Sequence, residues 1–295
     1  MNLFQYDFGY GFLWNYGHLL AIVPFGILAG LSWKFRWSRW VRVISLVLAA
    51  WGVAGLLIVQ YAMRLNLPLA LPTQQFLADG TGRVLDGGAG SGRASLMVLL
   101  ERPHAEVLAT DLYEGYFGIE DNTPQRLLQN AASAGVEERV DAQVADLTDL
   151  PFEDGSFDAA VSAFVIDHLD RAGVERSLAE IERVLRPDGE FLLMVINPDL
   201  WIRVAYPFFV HHGYFGGRTN HERWRVRLEN AGLPVVEMGT TPGTLYLLAR
   251  KGGDGRSRQQ EGQESRTVKD GQRRSRTMAA YAAAMKGRWE GDGGR

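Results

Sequence analysis

Apolar residues fall into three regimes along the chain, and each predicts a different kind of element. From Phe12 to Trp33 the strongly polar groups are Asn15 and His18 alone, and from Val43 to Met63 no side chain is charged. Each run approaches the ~20 apolar residues that cross a bilayer, so the pattern predicts two transmembrane or membrane-embedded helices within residues 1–66. Trp14, Tyr16, Trp33, Trp37, Trp40 and Tyr61 lie near the ends of the runs, where amphipathic rings settle at a membrane interface. Residues 67–82 carry Pro68, Pro72 and the Asp79-Gly80-Thr81-Gly82 turn and read as a linker. From residue 83 to 250 short apolar strands alternate with amphipathic stretches, and beyond residue 251 apolar residues thin out into a Gly-, Arg-, Gln- and Ser-rich tail. That tail, residues 251–295, cannot bury enough surface to order itself.

In the middle regime, strands are predicted at Val84-Leu85, Glu106 to Thr110, Val140 to Ala145, Ala159 to Val165 and Phe191 to Ile196. Two more follow at Val235 to Met238 and Leu245 to Ala249. Between them, helices are predicted over Ser91 to Glu101, from a Thr123 cap and Pro124 through Ser133, over Val174 to Leu185 and over His221 to Ala231. Alternation of this kind implies an α/β domain with parallel strands and helices on both faces, whose ligands bind at the carboxyl ends of the strands.

Charge sharpens the division. The chain carries a net −3, but residues 1–72 hold one acid against five bases and residues 251–295 hold six against eleven, which leaves the middle twelve net negative. An acidic body disfavours nucleic acid as a partner, while basic ends suit anionic lipid headgroups. No cysteine occurs, which removes disulfides, thiolate catalysis and Cys-ligated metals, and no metal is expected.

The candidate chemistry centres on Arg83 to Ser95, RVLDGGAGSGRAS. An apolar strand meets Asp86, then a loop with glycine at 87, 88, 90 and 92, then a helix; glycine lets backbone approach a ligand closely, and the helix start offers free N–H groups. A dinucleotide loop, G-x-G-x-x-G, counted from Gly88 and Gly90 would put Arg93 at its third glycine, which weakens that reading. Behind Asp86, glycines at 88, 90 and 92 spell D-x-G-x-G-x-G, which resembles the first motif of class I S-adenosylmethionine (SAM) dependent methyltransferases. The run Phe152 to Asp158, Asp167-His168-Leu169 and Arg186-Pro187-Asp188-Gly189 resembles the "LPF..gsFD…HL…RvLrPgG" stretch of the members that modify quinones, lipids and other small molecules. The resemblance spans about residues 73–250 and implies a Rossmann-like seven-stranded sheet of order 3-2-1-4-5-7-6.

Asp111, at the end of the second strand and 19 residues beyond Gly92, is placed to accept from the ribose hydroxyls of a nucleoside, or else is a simple cap or turn acid. What the resemblance adds is that Asp86 and the loop around Gly88, Gly90 and Gly92 hold the methionine end of SAM, Asp146 the adenine amine, and Leu147 the ring face. Gln74 to Ala78 is expected as a short helix over the cofactor mouth, and Asp188-Gly189 as a turn back into the sheet. On the acceptor side the candidates are His168, His211 and His212, with Tyr206 and Tyr214 from an aromatic-rich stretch; His168 reads as a general base or as a residue packing over the cofactor. Methyl transfer from a sulfonium asks the protein chiefly to hold donor and acceptor at attack distance and, when needed, to take a proton.

The expectation is therefore a SAM-dependent methyltransferase anchored in the inner or cytoplasmic membrane, its catalytic domain on the cytosolic side, with membrane lipids around it and a lipophilic small molecule as acceptor. A quinone precursor, a phospholipid headgroup or an isoprenoid fits, while the oligomeric state stays open. Two rivals keep the cofactor: a non-catalytic membrane-tethered SAM-binding scaffold, and an aminopropyl transferase using decarboxylated SAM. The basic connection Lys34, Arg36, Arg39 and Arg42 pulls against a cytosolic domain, because the positive-inside tendency places that connection in the cytoplasm and both chain ends outside.

Overall fold

In the computed structural model, which describes residues 5–114, 122–207 and 220–253, seven strands form one sheet in the order β3-β2-β1-β4-β5-β7-β6. The strands are β1 Thr81–Gly87, β2 His104–Asp111, β3 Val140–Val144, β4 Phe157–Ala163, β5 Leu185–Ile196, β6 Val235–Thr241 and β7 Thr244–Arg250. β1 to β5 pair in parallel, and β7 runs antiparallel to both β5 and β6. The seven-stranded sheet and the strand order that the resemblance implied are thus present.

Alternation along the strands fixes the two faces. Val84, Val107, Val161, Leu192 and Leu248 point into one apolar cluster, shared with helices α4 Arg93–Glu101 and α5 Pro124–Ala134. Their neighbours Leu85, Ala160, Phe191, Leu193 and Leu247 point into the other, shared with α6 Arg171–Val184 and α8 Asn220–Asn230. The α5 ends follow the sequence signals: the Thr123 hydroxyl accepts from Arg126 N, Pro124 opens the first turn, and Gly135 closes the helix in the left-handed region. The expected turn at Arg186 to Gly189 is a bulge inside β5. Phe157 pairs with Leu185 and Ala159 with Glu190, so four residues loop out between consecutive pairs, with Asp188 at φ 64°.

The linker is strapped down. Arg102 donates from Nε to Phe76 O at 2.8 Å and from Nη2 to Gln74 O at 3.1 Å, and Leu77 N donates to Glu190 at 2.7 Å. With the Gln74 and Phe76 carbonyls held by a guanidinium, the helix expected at Gln74 to Ala78 gives way to turns, and Phe76 is fully buried in the sheet core.

The amino-terminal region is a hairpin with a broken first arm. α1 Phe12–Tyr16 and α2 Leu19–Lys34 are separated at Gly17-His18, and α3 Arg39–Leu57 continues as a π-helical segment, Ile58–Met63. The stretch Arg39–Met63 is long and apolar enough to cross a membrane by length and composition, whereas Leu19–Lys34 has 16 residues and falls short. Among the described residues one helix, not two, therefore has the length and composition of a full span. The polar groups of the first run are used at the base: Asn15 donates to Tyr10 O at 2.6 Å, and His18 Nε2 lies 2.9 Å from Ala205 O. Gly55 leaves room for the His18 ring, which a Cβ would meet at 2.3 Å. Farther out the arms present apolar side chains on their outer faces, Leu20 at 63 % exposure and Ile27 at 58 %, towards a tip carrying Trp33, Trp37 and Trp40 beside Lys34, Arg36, Arg39 and Arg42.

The hairpin and the sheet belong to one compact unit, Met1–Gly252. Phe8 is buried in the sheet core, and Asn130 of α5 is bonded in both directions to Asp7, at 2.9 and 2.7 Å. The tail beyond residue 253 lies outside the described residues.

Candidate active site

β1 ends in the glycine loop, and the loop's shape requires its glycines. Gly88 stands at φ 79°, and a Cβ there would come within 2.5 Å of Val165 at the end of β4; Gly92 at φ 87° would meet Leu127 of α5 at 2.7 Å. The loop is closed from within. Gly88 N and Ala89 N both donate to Thr110 O, at 2.7 and 2.9 Å, Gly90 N donates to the Asp111 carboxylate at 3.0 Å, and Gly92 N donates to Ala89 O at 2.9 Å. These four amides are spent inside the protein.

Asp111 binds Tyr113 N at 2.7 Å and Asn122 Nδ2 at 3.4 Å as well, so three of roughly four acceptor sites on its carboxylate are taken. Its capacity for a ribose is one good bond, or two if the long Asn122 contact yields. Asp146 accepts from Thr148 N and Thr148 Oγ1 at 2.8 and 2.9 Å through the same oxygen, Oδ1. Leu147 is buried, its methyl close enough to Gly87 that a Cβ there would clash at 2.6 Å.

Asp86 lies beneath the loop, wholly buried; Oδ2 accepts from Ser95 Oγ at 2.5 Å, while Oδ1 has no hydrogen-bond partner. Burial pushes its pKa up to about 7 and the nearby Asp111 charge adds to this, while hydrogen bonds from Ser95 oppose it. A buried carboxylate oxygen with an open acceptor position suits a cationic donor such as an ammonium.

A cavity of about 950 Å³ adjoins the loop. At one end its wall holds Gly88, Gly90, Asp111, Asp146, Leu147 and His168, so the structure gathers these sequence-predicted residues into one place. Asp86 and Gly92 shape that end from behind and do not line it. His168 closes a 3₁₀ turn, Ile166–His168, just after β4. His211, His212 and Tyr214 lie outside the described residues. Among the described residues no group of three or more His, Asp or Glu could hold a metal.

At the other end stands Tyr206, an expected acceptor-side candidate just past α7 Leu200–Ala205; its companions there, Tyr10, Trp14, Tyr61, Met63 and Arg93 from the hairpin base and α4, were not legible in the sequence as cavity walls. Tyr206 donates its hydroxyl to Trp14 O at 2.6 Å, and burial raises its pKa, so the phenol stays protonated. Arg93 donates to Leu67 O at 2.8 Å and to Met63 O and Arg64 O at 3.0 Å each. These are the carbonyls at and beyond the last turn of the α3 stretch, which a guanidinium suits. The available signal was the clustering of aromatic residues at the ends of the apolar runs; the same rings satisfy a membrane-interface reading, so it did not single out a pocket.

Residues 85–193 match the family model described as "Methyltransferase domain". A ubiquinone/menaquinone biosynthesis C-methyltransferase of Citrifermentans bemidjiense is 33 % identical over 146 residues, 46 % of this chain and 54 % of that protein. A malonyl-[acyl-carrier protein] O-methyltransferase of Geobacter sulfurreducens is 31 % identical over 53 % of this chain and 57 % of its own length. A demethylmenaquinone methyltransferase of Thermus thermophilus is 34 % identical over 39 % and 48 %. The chain spans about half the length of these curated relatives. Family match, sheet order and loop together identify a SAM-dependent methyltransferase domain, with SAM as its cofactor.

Proposed function

We propose that this chain, with its SAM-dependent methyltransferase domain, is an enzyme held in a membrane by its hairpin, and that it methylates a lipophilic small molecule or lipid. The observation that carries this reading is the continuity of one cavity of about 950 Å³ from the glycine loop to the base of an outward-facing apolar hairpin. When bound, SAM supplies an activated methyl group. In this reading Asp86 acts on the ammonium of the methionine end from behind the loop, through its charge and not by direct contact, over the shape set by Gly88, Gly90 and Gly92. Asp111 takes a ribose hydroxyl while holding Gly90, Asp146 accepts from the adenine amine through its second oxygen, and Leu147 packs on the ring. His168 is the acceptor-side residue at this end and takes a proton where the acceptor loses one.

Among lipophilic acceptors, a quinone-ring precursor leads, because relatives named for quinone C-methylation match the domain. The hairpin supports a membrane setting in two ways. α2 is apolar on all sides, which favours embedding over lying at the surface. Its 16 residues rise about 24 Å against a hydrocarbon core of about 30 Å, a gap that snorkelling Lys34, Arg36 and Arg39 at the tip can close.

The test is incubation of the full chain with methyl-labelled SAM and a total membrane lipid extract, followed by identification of the labelled product. Label in an organic-soluble molecule is expected. Label only in protein overturns the lipid-acceptor reading; no label with SAM still bound overturns it as well and returns the chain to a SAM-binding scaffold.

A further inference from the structure

The cavity has two mouths in chemical terms. Its deep end is polar and acidic, with Asp111 and Asp146; its outer end is formed by Tyr61 and Met63 of the hairpin facing the Pro68–Pro72 strap. Tyr61 is 78 % exposed and sits on the same continuous apolar stretch, Arg39–Met63, whose outer face is uncovered. Apolar side chains, Leu65, Leu69, Ile202 and Met194 among them, also line the cavity.

The hairpin base is built into the domain. Met63 reaches the β6–β7 turn so closely that a Cβ on Gly243 would meet its Cε at 2.9 Å, and Trp51 donates to Val204 O at 3.0 Å on α7. Gln60 donates to Asn15 O at 2.8 Å across the base. A segment serving only as an anchor would need none of this, since an anchor works through any linker. Here the end of the apolar helix supplies part of the wall against which an acceptor must lie.

From these observations we infer that the hairpin is half of the acceptor subsite, and that the acceptor is a tailed amphiphile entering from the bilayer. Its reactive head lies towards His168 and its tail leaves between Tyr61 and the Pro68–Pro72 strap. The inference rests on the membrane setting proposed above and adds to it a route and a shape requirement. Molecules with the same ring but no tail lose the contacts with Leu65, Leu69 and Ile202, and meet the site only from water.

The experiment uses the full chain in phosphatidylcholine/phosphatidylglycerol vesicles containing palmitic acid with a diazirine at its chain end. After illumination, crosslinked peptides are mapped by mass spectrometry. Crosslinks on residues 61–72 and 202–206, together with the outer faces of α2 and α3, are expected. In Ala62→Trp, which fills the lip, those on 61–72 and 202–206 should fall to background while those on α2 and α3 persist; unchanged SAM affinity by titration shows that the variant is folded. Crosslinks on α2 and α3 without any in 61–72 or 202–206 overturn the inference and leave the membrane setting standing. Crosslinks on neither overturn both. Equal labelling of the lip in Ala62→Trp and wild type would show that the probe lies on the outside, and also overturns the inference.

Discussion

The two ends of the cavity are made in opposite ways. The cofactor end comes from strand ends that follow one another in the sheet: the loop after β1, Asp111 after β2, Asp146 after β3 and His168 after β4. The end proposed for the acceptor is gathered from residues 10–14, 61–72, 93, 202–206 and 241–244, which have no local pattern in common. One end is fixed by a topology that places every strand's carboxyl end on one edge. The other depends on a hairpin docking correctly against that edge. Changes at the first should strike SAM binding, and changes at the second should strike transfer while SAM still binds.

The largest effect is expected for Gly88→Ala. A Cβ at φ 79° and 2.5 Å from Val165 must displace the loop, and SAM affinity should fall on the order of 100-fold, about 3 kcal/mol. Calorimetric titration checks this, and unchanged affinity would break the assignment of the loop to the cofactor. Next comes Arg93→Ala, which removes three bonds to carbonyls at and beyond the end of the α3 stretch. Folding stability should drop by about 3 kcal/mol in urea unfolding, with transfer reduced more than SAM affinity. Equal losses in both would erase the distinction between the two ends.

How much could be read beforehand follows the same line. Gly88, Gly90, Gly92 and Asp111 stood out by residue type and spacing, and Asp146 by the resemblance alone; of these the structure puts Gly88, Gly90, Asp111 and Asp146 on one cavity wall. The sheet order followed from alternation and resemblance. Trp14, Tyr61 and Arg93 were not legible as cavity walls, since a ring at a helix end looks the same whether it faces lipid or a pocket. The helix expected at Gln74 to Ala78 failed for a tertiary reason, because Arg102 takes its carbonyls. The break at Gly17-His18 was not legible in the first apolar run, because the bond that fixes it joins His18 to Ala205 O, 187 residues away.

A smaller effect concerns pH. The folded pKa of Asp86, about 7, lies above the ordinary aspartate value of 3.8, so between these values the folded SAM-free chain binds the extra proton and loses stability as pH rises. Asp86→Asn should remove that part of the slope, measured as the difference in urea midpoints between variant and wild type across pH 4–7. A slope unchanged by the substitution would mean that Asp86 is ionised throughout. The smallest effect is expected for Tyr206→Phe, which loses one 2.6 Å hydrogen bond to Trp14 O, at a cost of about 1 kcal/mol in stability. Its methyl transfer should stay close to wild type, and a collapse in turnover with intact folding would make the phenol an acid or base after all.

The Arg93 contacts bear on regulation. The residue directly follows Gly92 of the glycine loop, and its guanidinium grips the carbonyls where the hairpin ends. One side chain thus ties the position of an apolar helix to the shape of a cofactor loop. Thermodynamic reciprocity then applies: to the extent that bilayer insertion alters SAM affinity through this joint, SAM alters the affinity for the bilayer by the same factor. Cellular SAM supply and membrane occupancy would in that way become two readings of a single equilibrium.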